Sequence, residues 1–197
     1  MLNKLRDSLQ PLLEKIGSGF AVTGLSPNFW SGVSLFFAFV SGIVYGLNFE
    51  FSLIIGGIFL LISGFFDIVD GQVARISKKT SKKGGFLDSV FDKIAEVAIF
   101  LGILIGGYAQ PHWILLAITL SLLVSYTRAR AESLGIKLQG VGIGERAERL
   151  LVIAIIGIFG GIFQMTEFME YAIYIVIVIS GITLIQRIIV TTKKLNE

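Results

Sequence analysis

FFDIVDGQVARISKKTSKKGGFLDSVFDKIAE, residues 65–96, joins two apolar runs through a short basic loop. Asp67, Asp70, Asp88 and Asp92 stand there in otherwise strongly apolar sequence, with Gly71, Ala74, Arg75 and Gly84 between them. On a helix, Asp67 and Asp70 share one face (i, i+3), and Asp88 and Asp92 share another (i, i+4). A carboxylate at the centre of a membrane helix costs about 2.5–3.5 kcal/mol. Four uncompensated would cost roughly 10 kcal/mol, comparable with the whole net stability of a typical protein. Charges placed this way mark an ion, proton or substrate site, and a divalent cation is the natural compensation.

Composition supports the membrane setting. The 197 residues are 54% hydrophobic and 16% charged, against about 25% charged in soluble domains. With no cysteine there is no disulfide framework and no thiolate metal site. Apolar runs near 29–47, 51–74, 86–108, 113–134, 150–165 and 168–190 are long enough to cross a bilayer. The connections 48–50, 109–112 and 164–170 carry no Lys or Arg. All 17 basic residues fall at the N-terminus, around 75–93, around 128–149 or near the C-terminus. In a six-span count these regions lie on one side, which the positive-inside rule assigns to the cytoplasm together with both termini. The expected fold is therefore all-α, an integral membrane protein with six transmembrane helices. The basic groups sit at span ends, so no nucleic acid partner is expected; membrane lipids are.

Residues 1–27 read as a separate juxtamembrane segment ahead of a membrane domain at 28–197. Leu2, Leu5, Leu9, Leu12, Leu13 and Ile16 recur at helical spacing among Lys4, Arg6, Asp7, Glu14 and Lys15. That pattern predicts an amphipathic helix on the membrane surface, bent at Pro11, rather than a cleaved signal. Ser26-Pro27-Asn28 predicts a break before the first span.

The second and third spans form an antiparallel hairpin. Asp67 lies eleven residues before Lys78 and Asp92 nine after Lys83, so both stand roughly 13–17 Å from the basic loop. All four carboxylates can then converge on one pocket. Such oxygen ligands suit Mg²⁺, Mn²⁺ or Ca²⁺. Gly71 and Ala74 leave room for a ligand against the backbone, and the guanidinium of Arg75 suits phosphate oxygens.

Residues 125–151, SYTRARAESLGIKLQGVGIGERAERLL, form a second basic region on the same side. Arg128, Arg130, Arg146 and Arg149 favour a substrate that itself carries phosphate. The plainer reading makes them topology determinants paired with Glu132, Glu145 and Glu148. Lys78, Lys79, Lys82 and Lys83 read as topology determinants, and His112 as an interfacial neighbour of Trp113. Gly56-Gly57 and Gly160-Gly161 are candidates for close helix contacts.

The aspartate stretch resembles the signature of the CDP-alcohol phosphotransferase family, D-x-x-D-G-x-x-A-R-x(8)-G-x-x-x-D-x-x-x-D, at every fixed position, and the six-span layout resembles that family too. The resemblance implies transfer of a phosphatidyl or archaetidyl group from a CDP-linked lipid to an alcohol, with release of CMP. It implies that Asp67, Asp70 and Asp88 hold Mg²⁺ or Mn²⁺, two ions in the fullest case, with Asp92 contributing to the site and acting as general base. It implies that Asp67, Asp70, Gly71, Ala74, Arg75, Gly84 and Asp88 bind the CDP-lipid, and that the protein is a homodimer. R-A-R-A-E and G-x-G-E-R-A-E-R-L resemble the branch that makes archaetidylinositol phosphate or phosphatidylinositol phosphate. That implies inositol 1-phosphate as acceptor, held by Arg128, Arg130, Arg146 and Arg149. Glycerol 3-phosphate or serine are the alternative acceptors. A cation transporter is the alternative from another class, although the Gly and Arg positions have no part in it.

Overall fold

The computed structural model describes residues 2–138 and 140–196, with side chains from Gln10 onward. The described residues form seven α-helices and no strand: α1 Leu2–Ala21, α2 Pro27–Leu47, α3 Ser52–Ile76, α4 Lys82–Ile105, α5 Pro111–Ser133, α6 Arg146–Ile162 and α7 Glu167–Leu195. The expected all-α class holds. Four helices, α2, α3, α5 and α7, are long and apolar enough to cross a membrane. The other two expected spans differ for physical reasons. Helix α4 carries Asp88, Asp92, Lys93 and Glu96, which dilute its apolar run. Helix α6 has 17 residues, a rise of about 26 Å.

Local chemistry sets the boundaries. Ser26 caps α2, its hydroxyl accepting from Phe29 N–H at 3.2 Å, with Pro27 in the first turn. Ser81 caps α4 in the same way through Gly84 N–H at 3.0 Å. The cap starts α4 at Lys82, so Lys82 and Lys83 are helical rather than part of the basic loop. Helix α1 runs continuously through Pro11. The expected contributions of Leu2, Leu5 and Leu9 lie outside the described side chains. Beyond them, α1 packs on α3, where Phe20 makes T-shaped contacts with Phe65 and Phe66, and it makes another with Trp30 of α2.

Helix α2 packs against both α3 and α4, α3 also against α6, and α7 against α5 and α6. In a bilayer close packing replaces the hydrophobic effect as the force between helices, and small residues make it possible. A Cβ on Gly102 of α4 would overlap the Gly42 carbonyl of α2. At the α3–α6 crossing, a Cβ on Gly57 would stand 2.9 Å from Ala154 O, and one on Gly161 3.1 Å from Ile54 N. Tyr45, Ile99, Ile103, Ile153, Met169 and Ile173 fill the core between these crossings. Outward, large apolar side chains such as Phe36, Ile43, Leu115 and Ile185 stand exposed, as a lipid-facing surface requires.

Candidate active site

The α3–α4 hairpin brings three of the four aspartates together. One carboxylate oxygen from each of Asp67, Asp70 and Asp88 lies within 4.8 Å of the others. Asp70 is buried and its Oδ2 has no hydrogen-bond partner among the described residues. A buried, unpartnered carboxylate oxygen is costly, and three clustered oxygens are the donor set of a hard divalent cation. The residues present therefore fit such an ion. Ser31, Ser34 and Leu35 of α2 and Phe91 and Ala95 of α4 wall the cluster.

Asp92 stands across a guanidinium from that triplet. Arg146 Nη1 lies 2.9 Å from Asp67 Oδ1 and 2.5 Å from Asp92 Oδ1, so the first residue of α6 ties α3 to α4. Arg149, one turn on, is fully buried and turns elsewhere. Its Nε and Nη2 donate to Glu96 Oε1 at 2.9 and 2.7 Å, and its Nη1 donates to the Gly144 carbonyl at 2.7 Å. Lys93 closes the group, bonding Glu96 Oε2 at 3.2 Å and Ser125 Oγ at 2.8 Å.

A cavity of about 560 Å³ opens beside the cluster, lined among others by Asp88, Asp92, Arg128, Arg146, Arg149 and Arg187. Arg128 reaches Glu132 at 2.9 Å on its rim. Arg130 is exposed, contacts Ser133 at 3.4 Å and does not line this cavity. Of the other motif residues, Gly71 and Arg75 are exposed, Ala74 and Gly84 half-buried, and Arg75 shares a pocket with Glu14, Lys15 and Ser18 of α1. A Cβ on Gly71 would meet open space, whereas one on Gly84 would crowd Ser81 Oγ at 3.1 Å and Asn28 Oδ1 at 3.3 Å. His112 lies beside Trp113 at the start of α5, their rings tilted by 52°, and lines neither the cluster nor the cavity.

Three polar residues of the site were not singled out by sequence: Lys93, Glu96 and Arg187. Arg187 donates to the carbonyls of Val141 at 3.0 Å and Val124 at 2.6 Å, and to Glu145 at 3.2 Å. The signal was present, since Glu96 and Arg187 are charges inside apolar runs, where charge is expensive.

Comparison with known proteins adds an independent line. The family model of CDP-alcohol phosphatidyltransferases matches residues 25–192. The chain is 34% identical to the archaetidylinositol phosphate synthase of Pyrococcus horikoshii over 196 residues, covering 100% of this chain and 99% of that one. It is 43% identical to the archaetidylinositol phosphate synthase of Methanothermobacter thermautotrophicus over 145 residues, 74% of this chain and 73% of that one. Among solved structures, it resembles Mycobacterium tuberculosis phosphatidylinositol phosphate synthase with CDP-DAG bound, at TM-score 0.77 and 24% identity, covering 92% of this chain and 94% of that one. The same enzyme in complex with manganese and citrate gives TM-score 0.77 at 23% identity, over 91% and 88% of the two chains. At that identity the likeness concerns the fold.

Proposed function

Because the chain belongs to the CDP-alcohol phosphatidyltransferase family, we propose that it transfers the archaetidyl or phosphatidyl group of a CDP-linked lipid to the hydroxyl of inositol 1-phosphate and releases CMP. The observation that carries this reading is the contiguity of two unlike compartments. The oxygen cluster of Asp67, Asp70 and Asp88 adjoins the arginine-lined cavity, and Asp88, Asp92 and Arg146 belong to the walls of both.

In this reading the CDP-lipid lies along the α3–α4 hairpin, its diphosphate at Asp67, Asp70 and Asp88 with Gly71, Ala74, Arg75 and Gly84 around the nucleotide. Asp67, Asp70 and Asp88 would hold Mg²⁺ or Mn²⁺, two ions with Asp92 contributing, and the bound metal supplies charge neutralisation at the diphosphate. Arg128 and Arg146 would face the acceptor phosphate across the cavity. Arg149 and Arg187, also in its walls, are committed to Glu96, Glu145 and backbone carbonyls and would back them. Arg130 stands outside its lining. The Asp92 carboxylate takes the proton of the acceptor hydroxyl. The freed oxygen attacks the lipid-bearing phosphorus, the bond to the bridging oxygen breaks, and CMP leaves with that electron pair. Helices α2–α7 all span the membrane, with both termini and the site toward the cytoplasm, α1 on the membrane surface and two copies in the working assembly. M. tuberculosis phosphatidylinositol phosphate synthase, solved with CDP-DAG and with manganese, supports the choice of ligands.

The test is CMP release by purified protein with Mg²⁺ and CDP-archaeol, adding inositol 1-phosphate, glycerol 3-phosphate, inositol or serine in turn. Release with inositol 1-phosphate alone is expected. Release with another acceptor keeps the mechanism and replaces the acceptor; no release with any acceptor removes the enzymatic reading.

A further inference from the structure

The segment between α5 and α6 ends in Gly140-Val141-Gly142-Ile143-Gly144-Glu145 and leads directly into Arg146. A glycine-rich connection of this kind has little intrinsic stiffness, yet four of its backbone groups are bonded to side chains of α6 and α7. Ile143 N–H and Gly144 N–H both donate to Thr183 Oγ1, at 3.1 and 2.8 Å, and that hydroxyl donates in turn to the Ile179 carbonyl at 2.7 Å. One donor and two acceptor lone pairs are all a hydroxyl has, so Thr183 is used to capacity and fully buried. Arg187 holds the Val141 carbonyl and Arg149 the Gly144 carbonyl.

The glycines fit this attachment. Gly142 has φ +122°, and a Cβ there would overlap the Thr183 methyl. A Cβ on Gly144 would come within 2.8 Å of the Ile179 carbonyl oxygen. The loop is thus drawn against α7 by backbone hydrogen bonds that a larger residue would break. What it carries is Arg146, whose guanidinium bridges Asp67 and Asp92.

We infer that Thr183 is a positioning residue: it fastens the 140–145 loop to α7 and thereby fixes where Arg146 meets the aspartates and the acceptor. This rests on the phosphotransferase reading for its kinetic consequence only. Thr183 touches neither the cavity nor the carboxylates, so its effect reaches the acceptor through Arg146.

The experiment compares Thr183→Val, similar in shape without the hydroxyl, with Thr183→Ser, which keeps it. Two readouts are taken on the full-length protein: hydrogen–deuterium exchange at Ile143 and Gly144, and separate KM values for CDP-archaeol and inositol 1-phosphate. Expected for Val are faster exchange at those two amides and a KM for inositol 1-phosphate raised about ten- to a hundredfold, the scale of a small misplacement. The KM for CDP-archaeol should stay the same, and Ser should restore both values. Unchanged exchange in the Val variant overturns the anchor. Faster exchange with an unchanged acceptor KM, or with both KM values rising alike, overturns the positioning role. Should Val fail to fold, Thr183→Ala is read by the same criteria. Absence of CMP release in the wild-type chain counts against the proposed reaction, and the exchange arm still decides the anchor.

Discussion

Arg146 and Arg149 stand on one helix face, three residues apart, yet they meet different partners. Arg149 and Glu96 are both fully buried. Removing one partner of a buried pair costs about 3–5 kcal/mol, because the other charge is left behind, whereas apolar replacement of both is often neutral. Arg149→Ala should therefore lower the melting temperature in detergent sharply, and Glu96→Met together with Arg149→Met should recover much of it. A single variant as stable as the parent would deny the pair a structural role. Asp92 makes the complementary case. Asp92→Asn should lower CMP release about 10²–10⁴-fold, the usual worth of a general base, while CDP-lipid binding measured directly is retained; full turnover would remove Asp92 from that role. Sequence identified the four aspartates and Arg146 because each sits at a motif position or at a basic cluster. It passed over Glu96, Lys93 and Arg187, because the burial that makes them partners arises only when α4, α5, α6 and α7 meet.

Helix positions were legible to within a few residues because apolar runs, prolines and serine caps act locally. Ser26 and Ser81 mark starts that the chain itself encodes. The early start of α4 was missed, since its lysines resemble a loop until Ser81 caps them. The glycine pairs 56–57 and 160–161 were readable as contact candidates, and the structure sets Gly57 and Gly161 into the α3–α6 crossing. The Gly42–Gly102 contact was not, because nothing in either helix alone indicates that their backbones touch. It gives a sharp test. Gly102→Val forces α2 and α4 apart and should destabilise the fold by about 1–3 kcal/mol, the usual cost of overpacking. Gly64→Val, where a Cβ meets nothing within 4 Å, should melt close to the parent. Equal losses in the two variants would mean that this crossing is not tight.

At the scale of the whole molecule, metal and fold should separate. The cluster's carboxylates are held on helices packed through glycine crossings and a buried core, and Arg146 already ties α3, α4 and α6 together. Chelation with EDTA should therefore abolish CMP release while the helical circular dichroism signal stays intact, and added Mg²⁺ or Mn²⁺ should restore activity. Loss of helix on chelation would instead make the metal a folding element. The length of α6 has a consequence of its own. Its 17 residues rise about 26 Å, a few ångströms less than the roughly 30 Å of hydrocarbon in a bilayer. Lipid accommodates a short helix by thinning around it, and the end of α6 that begins at Arg146 is the end at the aspartates. With α6 spanning as proposed above, the leaflet surface would dip there into a shallow dimple. In the proposed reaction a charged, water-soluble acceptor could then meet a lipid-anchored donor without either one leaving its own phase.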